Sequence, residues 1–572
     1  MLDVPLLTTP RYPRCDRPPT ADTAYRVAMA THEVTNQVPP LEGQDVFGDD
    51  RALVEAVSRY GAEHALGDLH DLGRLAGTAR AQRLGDDANT FTPRLVTHDP
   101  RGARVDEVEF HPAWHELMAT AVAEGLAGAP WAAAPASGAH VARAAGFVVW
   151  SQVEAGHGCP VSMTYAAVPA VRTDPVVAAV WESRLTSRVY DFGLRPASEK
   201  AGAVAGMGMT EKQGGSDVRA NATAAVPTPG GPLAGGDTYR LTGHKWFCSA
   251  PMSDVFLVLA QAPGGLTCFV VPRVLDDGAR NPFAIQRLKD KLGNRSNASG
   301  EVELDGSWGV RLGDEGRGVR TIINMVAATR LDCVLGSAAT MRQALVRATH
   351  HSRHRRAFGA ALVDQPLMRA VLADLALESE AATVLGLRLA ASVDAGDTAF
   401  GRLAVALGKF WVCKRTAPMV AEALECLGGN GYVEENGLAR LYREAPLNSI
   451  WEGSGNVNAL DVLRALSREP ASVEAVLDEI RLAAGADVGF DRTVKELETS
   501  LLTGSAQEQE AGARWTVERL AVALQASLLL RHAPAAVSDA FVRTRVLGER
   551  GATFGALPSS LDVDRIVARI LP

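Results

Sequence analysis

The sequence predicts an α+β protein in which one β-rich segment lies between helical segments. Across residues 49–195, apolar residues recur at spacings of three and four, which is typical of amphipathic helices. Across residues 202–312, short β-branched or apolar runs alternate with turns, which predicts a compact antiparallel β domain. Across residues 316–468, long apolar-striped stretches return and predict a helical bundle.

The chain has 572 residues, which is too long for a single hydrophobic core. The start of the chain is rich in Pro, Thr and Arg and lacks an apolar segment, so we interpret it as a disordered leader and not as a signal peptide. We predict a leader at 1–40, an N-terminal helical domain at 41–201, the β domain at 202–314, the bundle at 315–468 and an appended C-terminal helical domain at 469–572.

Individual stretches support these assignments in order along the chain. Helical spacing is clearest at residues 51–67 and 140–154, and residues 100–112 form a polar connection. Residues 228–237 contain two Pro and four Gly, which predicts a hairpin loop. The predicted strands include residues 239–242, 255–260, 268–271 and 301–304.

The bundle segment begins with one unusually long predicted helix. Residues 319–354 contain no proline, and the stretches 365–393 and 403–427 follow after short connections. In the C-terminal segment, residues 491–502 and 512–532 also have helical spacing. These lengths and short connections predict three or four long helices packed side by side.

Composition excludes several classes of function. The net charge of −8 provides no global positive field for nucleic acid. The seven cysteines are scattered without paired spacing, so we expect reduced thiols in a cytoplasmic protein and no metal site. There is no run of 18 apolar residues, so we expect no membrane span. Rossmann, P-loop and serine-hydrolase motifs are also absent from the sequence.

The most informative stretch is residues 448–456, which read N-S-I-W-E-G-S-G-N. Glu452 lies between Trp451, which could exclude water, and a flexible G-S-G turn that lets backbone approach a ligand. A carboxylate in a dry pocket has a raised pKa and suits proton abstraction. The local sequence by itself favours the alternative, a solvated turn acid after a helix.

Two motifs in the β segment suit a flat, polar-edged ligand. Residues 207–218, M-G-M-T-E-K-Q-G-G-S-D-V, place the hydroxyls of Thr210 and Ser216 around a Gly-Gly turn. Residues 243–249, G-H-K-W-F-C-S, place two aromatics before Ser249. The alternatives are a polar β-turn for the first motif and strand core for the second.

Three further motifs carry weaker signals. Residues 288–299, L-K-D-K-L-G-N-R-S-N-A-S, could be simply a charged loop. Residues 342–356 contain five Arg and three His without an acid, which predicts either a phosphate site or a helix end stabilised by cations. Residues 427–432, L-G-G-N-G-Y, could be a ligand loop or a helix C-cap.

Together these motifs resemble those of the acyl-CoA dehydrogenase superfamily, and within it the AidB group of adaptive-response flavoproteins. The similarity runs from about Thr31 to about Arg468 and includes THEVTNQ, MTEKQGGSDV, GHKWFCS, LKDKLGNRSNAS and NSIWEGSGN. The resemblance implies the acyl-CoA dehydrogenase fold, with FAD bound between the β domain and the bundle.

The resemblance also implies which residues contact FAD. Arg355 and Phe358 match a pair that reaches the FAD of a neighbouring subunit, so a homotetramer built as a dimer of dimers is implied. The matching positions are Met207, Thr210, Ser216, Phe247, Ser249, Arg355, Phe358, Gln365, Ile450, Trp451, Gly453, Ser454 and Asn456.

Glu452 matches the family's catalytic base, which removes the α-proton of an acyl-CoA while a hydride leaves for the flavin. Electrons then pass to an electron-transfer flavoprotein. Some members place the base on a bundle helix just before an Arg, where this chain has Thr329, so Glu452 is the one base candidate. Trp451 stands where the family usually has Tyr, and Glu425 where many members have Gln.

For the AidB group, the resemblance implies weak isovaleryl-CoA dehydrogenase activity and binding of double-stranded DNA, with protection from alkylation. Arg464 matches an arginine implicated in DNA contact, and Arg543 and Arg545 form a small basic cluster. However, residues 465–572 hold 12 Lys and Arg against 15 Asp and Glu, so a solvated helix face is an open alternative. A second hypothesis is a competent short- or branched-chain acyl-CoA dehydrogenase without a DNA role.

Overall fold

The computed structural model describes residues 31–501 and 503–571. The predicted leader therefore lies, for residues 1–30, outside the described residues. Residues 31–40 run in an exposed, extended path to the first helix.

The N-terminal segment is helical apart from one β-hairpin. Its first helix begins where the Asp50 carboxylate accepts a hydrogen bond from the Leu53 amide, which is the usual role of an Asp N-cap. The helices are α1 (Arg51–Arg59), α2 (Leu66–Ala76), α3 (Ala79–Thr90), α4 (Pro112–Ala123), α5 (Ala139–Ser151), α6 (Gly158–Val171) and α7 (Pro175–Leu185), and the strands are β1 (Arg94–His98) and β2 (Arg104–Glu109).

The predicted polar connection at residues 100–112 is wrong for its central part, which forms β2. In β2 burial alternates along the strand, with Asp106 and Val108 buried and Glu107 and Glu109 exposed, and β2 pairs antiparallel with β1. The carboxylate of Asp106 accepts a hydrogen bond from the Ile285 amide at 2.9 Å. The hairpin thereby joins the N-terminal domain to the β domain.

The β domain is a seven-stranded sheet. An additional pairing between the strands Val255–Ala262 and Gly265–Pro272 closes it. Its long strands pair antiparallel, as predicted, but the short strands β3 and β4 each pair parallel to β6. The strands are β3 (Ala205–Gly208), β4 (Ala224–Pro227), β5 (Thr238–Ser249), β6 (Val255–Ala262), β7 (Gly265–Pro272), β8 (Phe283–Leu288) and β9 (Ser299–Leu312).

The bundle is built around one central helix. This helix, Gly318–His354, is long and apolar enough to cross a bilayer by length and composition, whereas the sequence analysis expected no membrane span. However, 67% of its most apolar window is buried inside the protein. That burial is usual for the core helix of a bundle. The elements are α8 (Gly318–His354), β10 (Arg356–Ala357), β11 (Ala360–Ala361), α9 (Pro366–Asp394), α10 (Thr398–Glu425), α11 (Leu438–Glu444) and α12 (Gly455–Arg468).

The C-terminal segment packs against the bundle, and its apolar residues join the same core. Its longest helix begins with a capping box, in which Ser505 and Glu508 satisfy each other's backbone amides. The helices are α13 (Pro470–Arg481), α14 (Val488–Ser500), α15 (Ala506–His532), α16 (Ala535–Phe541) and α17 (Val563–Val567). The predicted fold class is confirmed.

Candidate active site

The turn before α12 holds Glu452 in a conformation that a non-glycine residue rarely adopts. Its φ is +57°, and Gly453 follows with a φ of +93°. Arg330 donates to the Glu452 carbonyl at 3.0 Å, while Lys409 and Asn458 donate to the Gly453 carbonyl at 2.7 and 2.6 Å. A left-handed residue costs about 1–2 kcal/mol, so these three donors are what fix the turn.

The Glu452 carboxylate points to the middle of α8. Thr329 donates its hydroxyl hydrogen to Glu452 Oε2 at 2.7 Å. Burial raises the pKa of the Glu452 carboxyl, and the Thr329 hydrogen bond and the charges of Arg330 and Lys409 offset this rise in part. Glu452 is therefore a half-buried carboxylate with an elevated pKa and not a freely solvated turn acid.

The Thr329 hydroxyl also lies within hydrogen-bond distance of two backbone carbonyls of α8. Its oxygen lies 3.2 Å from the Met325 carbonyl and 3.1 Å from the Val326 carbonyl. Because the hydroxyl has one hydrogen, it donates either to Glu452 or to the helix backbone. When Glu452 takes up a proton, the hydroxyl can turn to the backbone and accept from the new carboxyl hydrogen, so no buried donor is left unpaired.

Asp461 on α12 holds the arginines around this turn. It pairs with Arg330 at 2.8 Å and with Arg402 at 3.0 Å, and it also contacts Arg464. Charge neutralisation and hydrogen bonding from these arginines outweigh burial and lower the pKa of the Asp461 carboxyl. Asp461 therefore keeps Arg330 aligned on the Glu452 backbone.

The Trp451 ring is fixed by a short hydrogen-bonded chain. Its indole Nε1 donates to Asn448 Oδ1 at 2.9 Å, and Asn448 Nδ2 donates to the Ser337 hydroxyl at 3.1 Å. Ser337 lies on α8, two turns beyond Thr329. The indole is therefore held in place by the helix that positions the base.

Across from the bundle, the loop after β3 is anchored by a residue that sequence reasoning did not single out. Glu211 is fully buried and accepts hydrogen bonds from Lys245 at 2.8 Å and from the Thr223 hydroxyl at 2.6 Å. Burial by itself raises the pKa of the Glu211 carboxyl, but these hydrogen bonds and that from the Ala222 amide lower it to about 2. The available signal was the lysine inside the G-H-K-W-F-C-S motif, for which strand core was the alternative interpretation.

The exposed side of the same loop has the shape and chemistry of a cradle. A Cβ on Gly215 would lie 2.5 Å from the Thr210 hydroxyl oxygen, so only glycine lets the turn close on that hydroxyl. On β5, Phe247 is 52% exposed and Ser249, two residues on, lies on the same face. Beside Glu452, Ile450 is 63% exposed.

These observations fit FAD, because exposed apolar side chains next to hydroxyls suit a flat heteroaromatic ring with a polar edge. The other predicted contacts on this side are in keeping with that position. Met207 is half-buried at the end of β3, Ser216 is exposed on the loop, and Ser454 and Asn456 are exposed at the start of α12.

The remaining three predicted contacts lie elsewhere in the chain. Arg355, Phe358 and Gln365 are grouped around the β10–β11 hairpin at the far end of α8. Arg355 is roughly 39 Å from Thr329 along the axis of α8, at about 1.5 Å per residue. Within one chain, these residues and Glu452 therefore cannot contact the same isoalloxazine ring.

Comparisons with known proteins show the family to which this chain belongs. The family model of the adaptive response protein AidB N-terminal domain matches residues 36–192, the acyl-CoA dehydrogenase middle domain matches 206–307, and the acyl-CoA dehydrogenase C-terminal domain matches 316–467. The chain is 48% identical to AidB of Escherichia coli strain K12 over 476 residues, which are 82% of this chain and 87% of that protein. The chain belongs to the AidB branch of the acyl-CoA dehydrogenase family.

Solved structures extend the family assignment. Caenorhabditis elegans ACDH-11 in complex with C11-CoA superposes with a TM-score of 0.80 at 27% identity, covering 94% of this chain and 97% of that chain. A Bacillus anthracis acyl-CoA dehydrogenase complexed with FAD shares the fold alone, with a TM-score of 0.59 at 16% identity, covering 80% and 82%. FAD is the cofactor of this family.

The basic run at residues 342–356 combines buried side chains such as Arg342 with exposed ones such as Arg353 and Arg356. Arg342 donates to the Asp49 and Ile570 carbonyls at 2.6 and 2.7 Å, and Arg353 donates to the Leu571 carbonyl at 2.8 Å. These guanidinium groups therefore attach the turn before α1 and the C-terminal end of the described chain to α8. The phosphate alternative is wrong for Arg342, which is buried.

The predicted charged loop at residues 288–299 is likewise buried where it meets the other domains. Glu444 accepts hydrogen bonds from the Asn294 amide through both carboxylate oxygens, at 2.8 and 2.9 Å, and Glu154 accepts from the Ser296 hydroxyl at 2.7 Å. The loop therefore joins the β domain to the helices on either side of it.

The prediction that Arg545 contacts DNA is wrong. Its side chain is 1% exposed and pairs with Asp374 and, at 2.9 Å, with Glu378. It cannot reach a phosphate, because it neutralises two buried carboxylates of α9. Arg543 is 26% exposed and pairs with Glu549 at 2.8 Å.

Proposed function

We propose that the protein is an FAD-dependent acyl-CoA dehydrogenase in which Glu452 removes the α-proton of an acyl thioester. The observation that carries this proposal is the half-buried Glu452 carboxylate, with its raised pKa and its hydrogen bond to Thr329. An elevated pKa brings a carboxylate closer to the strength needed for proton abstraction near neutral pH.

Each residue of the turn has a defined task in this proposal. Arg330, Lys409 and Asn458 fix the backbone so that the carboxylate is aimed before substrate arrives. Thr329 stabilises the charged base and then turns to the helix backbone once Glu452 holds the proton. Trp451 limits water near the base. FAD, when bound, supplies the acceptor for the β-hydride.

Anaerobic titration of the purified flavoprotein with isovaleryl-CoA and with straight-chain acyl-CoAs tests this function. We expect flavin absorbance to fall with at least one acyl-CoA, because α-proton and β-hydride removal are coupled. Rapid bleaching favours a competent dehydrogenase, and slow bleaching favours a weak activity. No bleaching with any acyl-CoA would remove the dehydrogenase proposal.

Thr329 provides a pH-dependent test. In Thr329→Val, the charged carboxylate loses a hydrogen bond, so the pKa of Glu452 rises above its already raised value. The acid limb of the pH profile for flavin bleaching therefore moves to higher pH. Thr329→Ser keeps the hydroxyl and should retain the parental profile. A profile that is identical in Thr329→Val would contradict a role of this hydroxyl in tuning the base.

We also propose a homotetramer in the cytoplasm that passes electrons to an electron-transfer flavoprotein. Exposed apolar residues at Phe358, Leu367 and Tyr432 support association of subunits. Six free cysteines, all buried in the part of the chain that the structure describes, support a reducing compartment. Light scattering after size exclusion measures the subunit number.

Duplex DNA stays a proposed partner through Arg464, whose side chain is 51% exposed on α12. We expect Arg464→Gln to weaken duplex binding and to reduce the slope of log affinity against log salt by about 1. Arg101→Gln, at an exposed position of the N-terminal hairpin loop, is the matched control for loss of one charge. Filter binding across a salt series measures both, and undetectable binding at low salt removes the DNA proposal.

A further inference from the structure

The β10–β11 hairpin presents an aromatic side chain that no other described residue covers. Phe358 is 98% exposed at the tip of the hairpin, with a φ of +51°, and Gly359 follows with a φ of +82°. Each strand of the hairpin has two residues, and hairpins of that size are not stable on their own in water. Something else must hold the tip in place.

Asn36 contacts this hairpin from the extended segment at residues 31–40. Its side-chain amide donates to the Arg356 carbonyl at 2.9 Å and accepts from the Arg356 amide at 2.9 Å, as a neighbouring strand would. The Arg355 guanidinium donates to the Asn36 carbonyl. Asn36 itself has a φ of +56°, a conformation that asparagine tolerates better than most residues.

Two further contacts fix the same unit. His350 Nε2 lies 2.8 Å from the Pro39 carbonyl, which attaches the extended segment to the last turn of α8. Gln365 donates to the Ala357 carbonyl at 3.2 Å from the other side of the hairpin. Gln365, predicted to contact FAD, therefore supports the hairpin within its own chain.

We propose that Asn36 is a positioning residue that clamps the Arg355–Phe358 turn for insertion into the FAD site of a second copy of this chain. The inference rests on the homotetramer of the proposed function, and it adds the premise that FAD sites are shared between the subunits. Arg355 and Phe358 would contact the cofactor, and Asn36 would act through them. A clamped turn loses less conformational entropy on insertion, so the cofactor is held more tightly.

The test measures FAD retention, which does not depend on turnover. Asn36→Gly keeps the left-handed backbone and removes both side-chain hydrogen bonds, so we expect FAD to dissociate about tenfold faster. Gln37→Ala is the matched control, since Gln37 bonds only to the nearby Thr35 carbonyl among the described residues. The increase in flavin fluorescence after dilution gives the rate at which FAD dissociates. Circular dichroism checks that each variant folds.

Phe358→Ala tests separately whether FAD sites are shared between subunits, which is the premise of the Asn36 clamp. If Phe358→Ala and Asn36→Gly both lose FAD faster than Gln37→Ala, with unchanged melting of the apoproteins, the inference is supported. If Phe358→Ala loses FAD faster and Asn36→Gly does not, the clamp is wrong while shared sites stand. If Phe358→Ala retains FAD like the parent, the shared site itself is wrong and the clamp falls with it.

Discussion

Glu452→Gln is expected to abolish flavin bleaching by acyl-CoA while FAD stays bound. Glutamine matches glutamate in size and can still accept from Thr329 through its amide oxygen, so the turn is preserved. It cannot take up the α-proton, and loss of a general base typically slows a reaction by about 100-fold or more. Stopped-flow absorbance after anaerobic mixing measures the rate.

The matched control for this change is Glu435→Gln, because Glu435 is an exposed glutamate of the bundle domain. Its bleaching rate should equal that of the parent. FAD content, read from the absorbance spectrum, should be equal in all three proteins. Bleaching at the parental rate in Glu452→Gln would show that another group removes the proton, and the assignment of the base would then be wrong.

Arg545→Met is expected to destabilise the protein by about 3–5 kcal/mol, because it leaves Asp374 and Glu378 buried without their main counter-charge. These carboxylates lie on α9, whereas Arg545 follows α16, so the ion pairs hold the C-terminal domain on the bundle. Urea unfolding followed by circular dichroism measures the loss. Arg543→Met, at a partly exposed pair, should lie within about 1 kcal/mol of the parent.

The ion pairs of Arg545 also predict how the loss of stability in Arg545→Met depends on pH. Burial by itself raises the pKa of the Glu378 carboxyl, but the charges of Arg545 and Arg415 lower it to about 2. A depressed folded-state pKa gives stability that is present above the unfolded-state pKa and is lost as pH falls toward 2. In Arg545→Met the Glu378 carboxylate loses its largest counter-charge and protonates more readily, so the deficit in stability is largest near neutral pH and shrinks below about pH 4. A deficit that does not change with pH would argue against an electrostatic origin.

Much of the fold and part of the candidate site could be predicted from the sequence. Apolar periodicity is a local property, so the change from helical to strand spacing predicts the order of domains. The proposal of Glu452 as the base rests on the family resemblance of the motif around it and on Thr329 before Arg330, because the local sequence alone also fits a turn acid. The pairing of Glu452 with Thr329 is compatible with that prediction, although the two are 123 positions apart.

What the tertiary structure alone decided is which charges face solvent and which face each other. Arg545 and Arg543 look alike in the sequence, yet one neutralises buried carboxylates of α9 and the other lies at the surface. Asn36 and Arg356 are 320 positions apart, and no local pattern predicts that they bond. The Arg545 ion pairs and the Asn36–Arg356 hydrogen bonds join segments that are far apart in the sequence. Only the folded chain brings such segments within bonding distance.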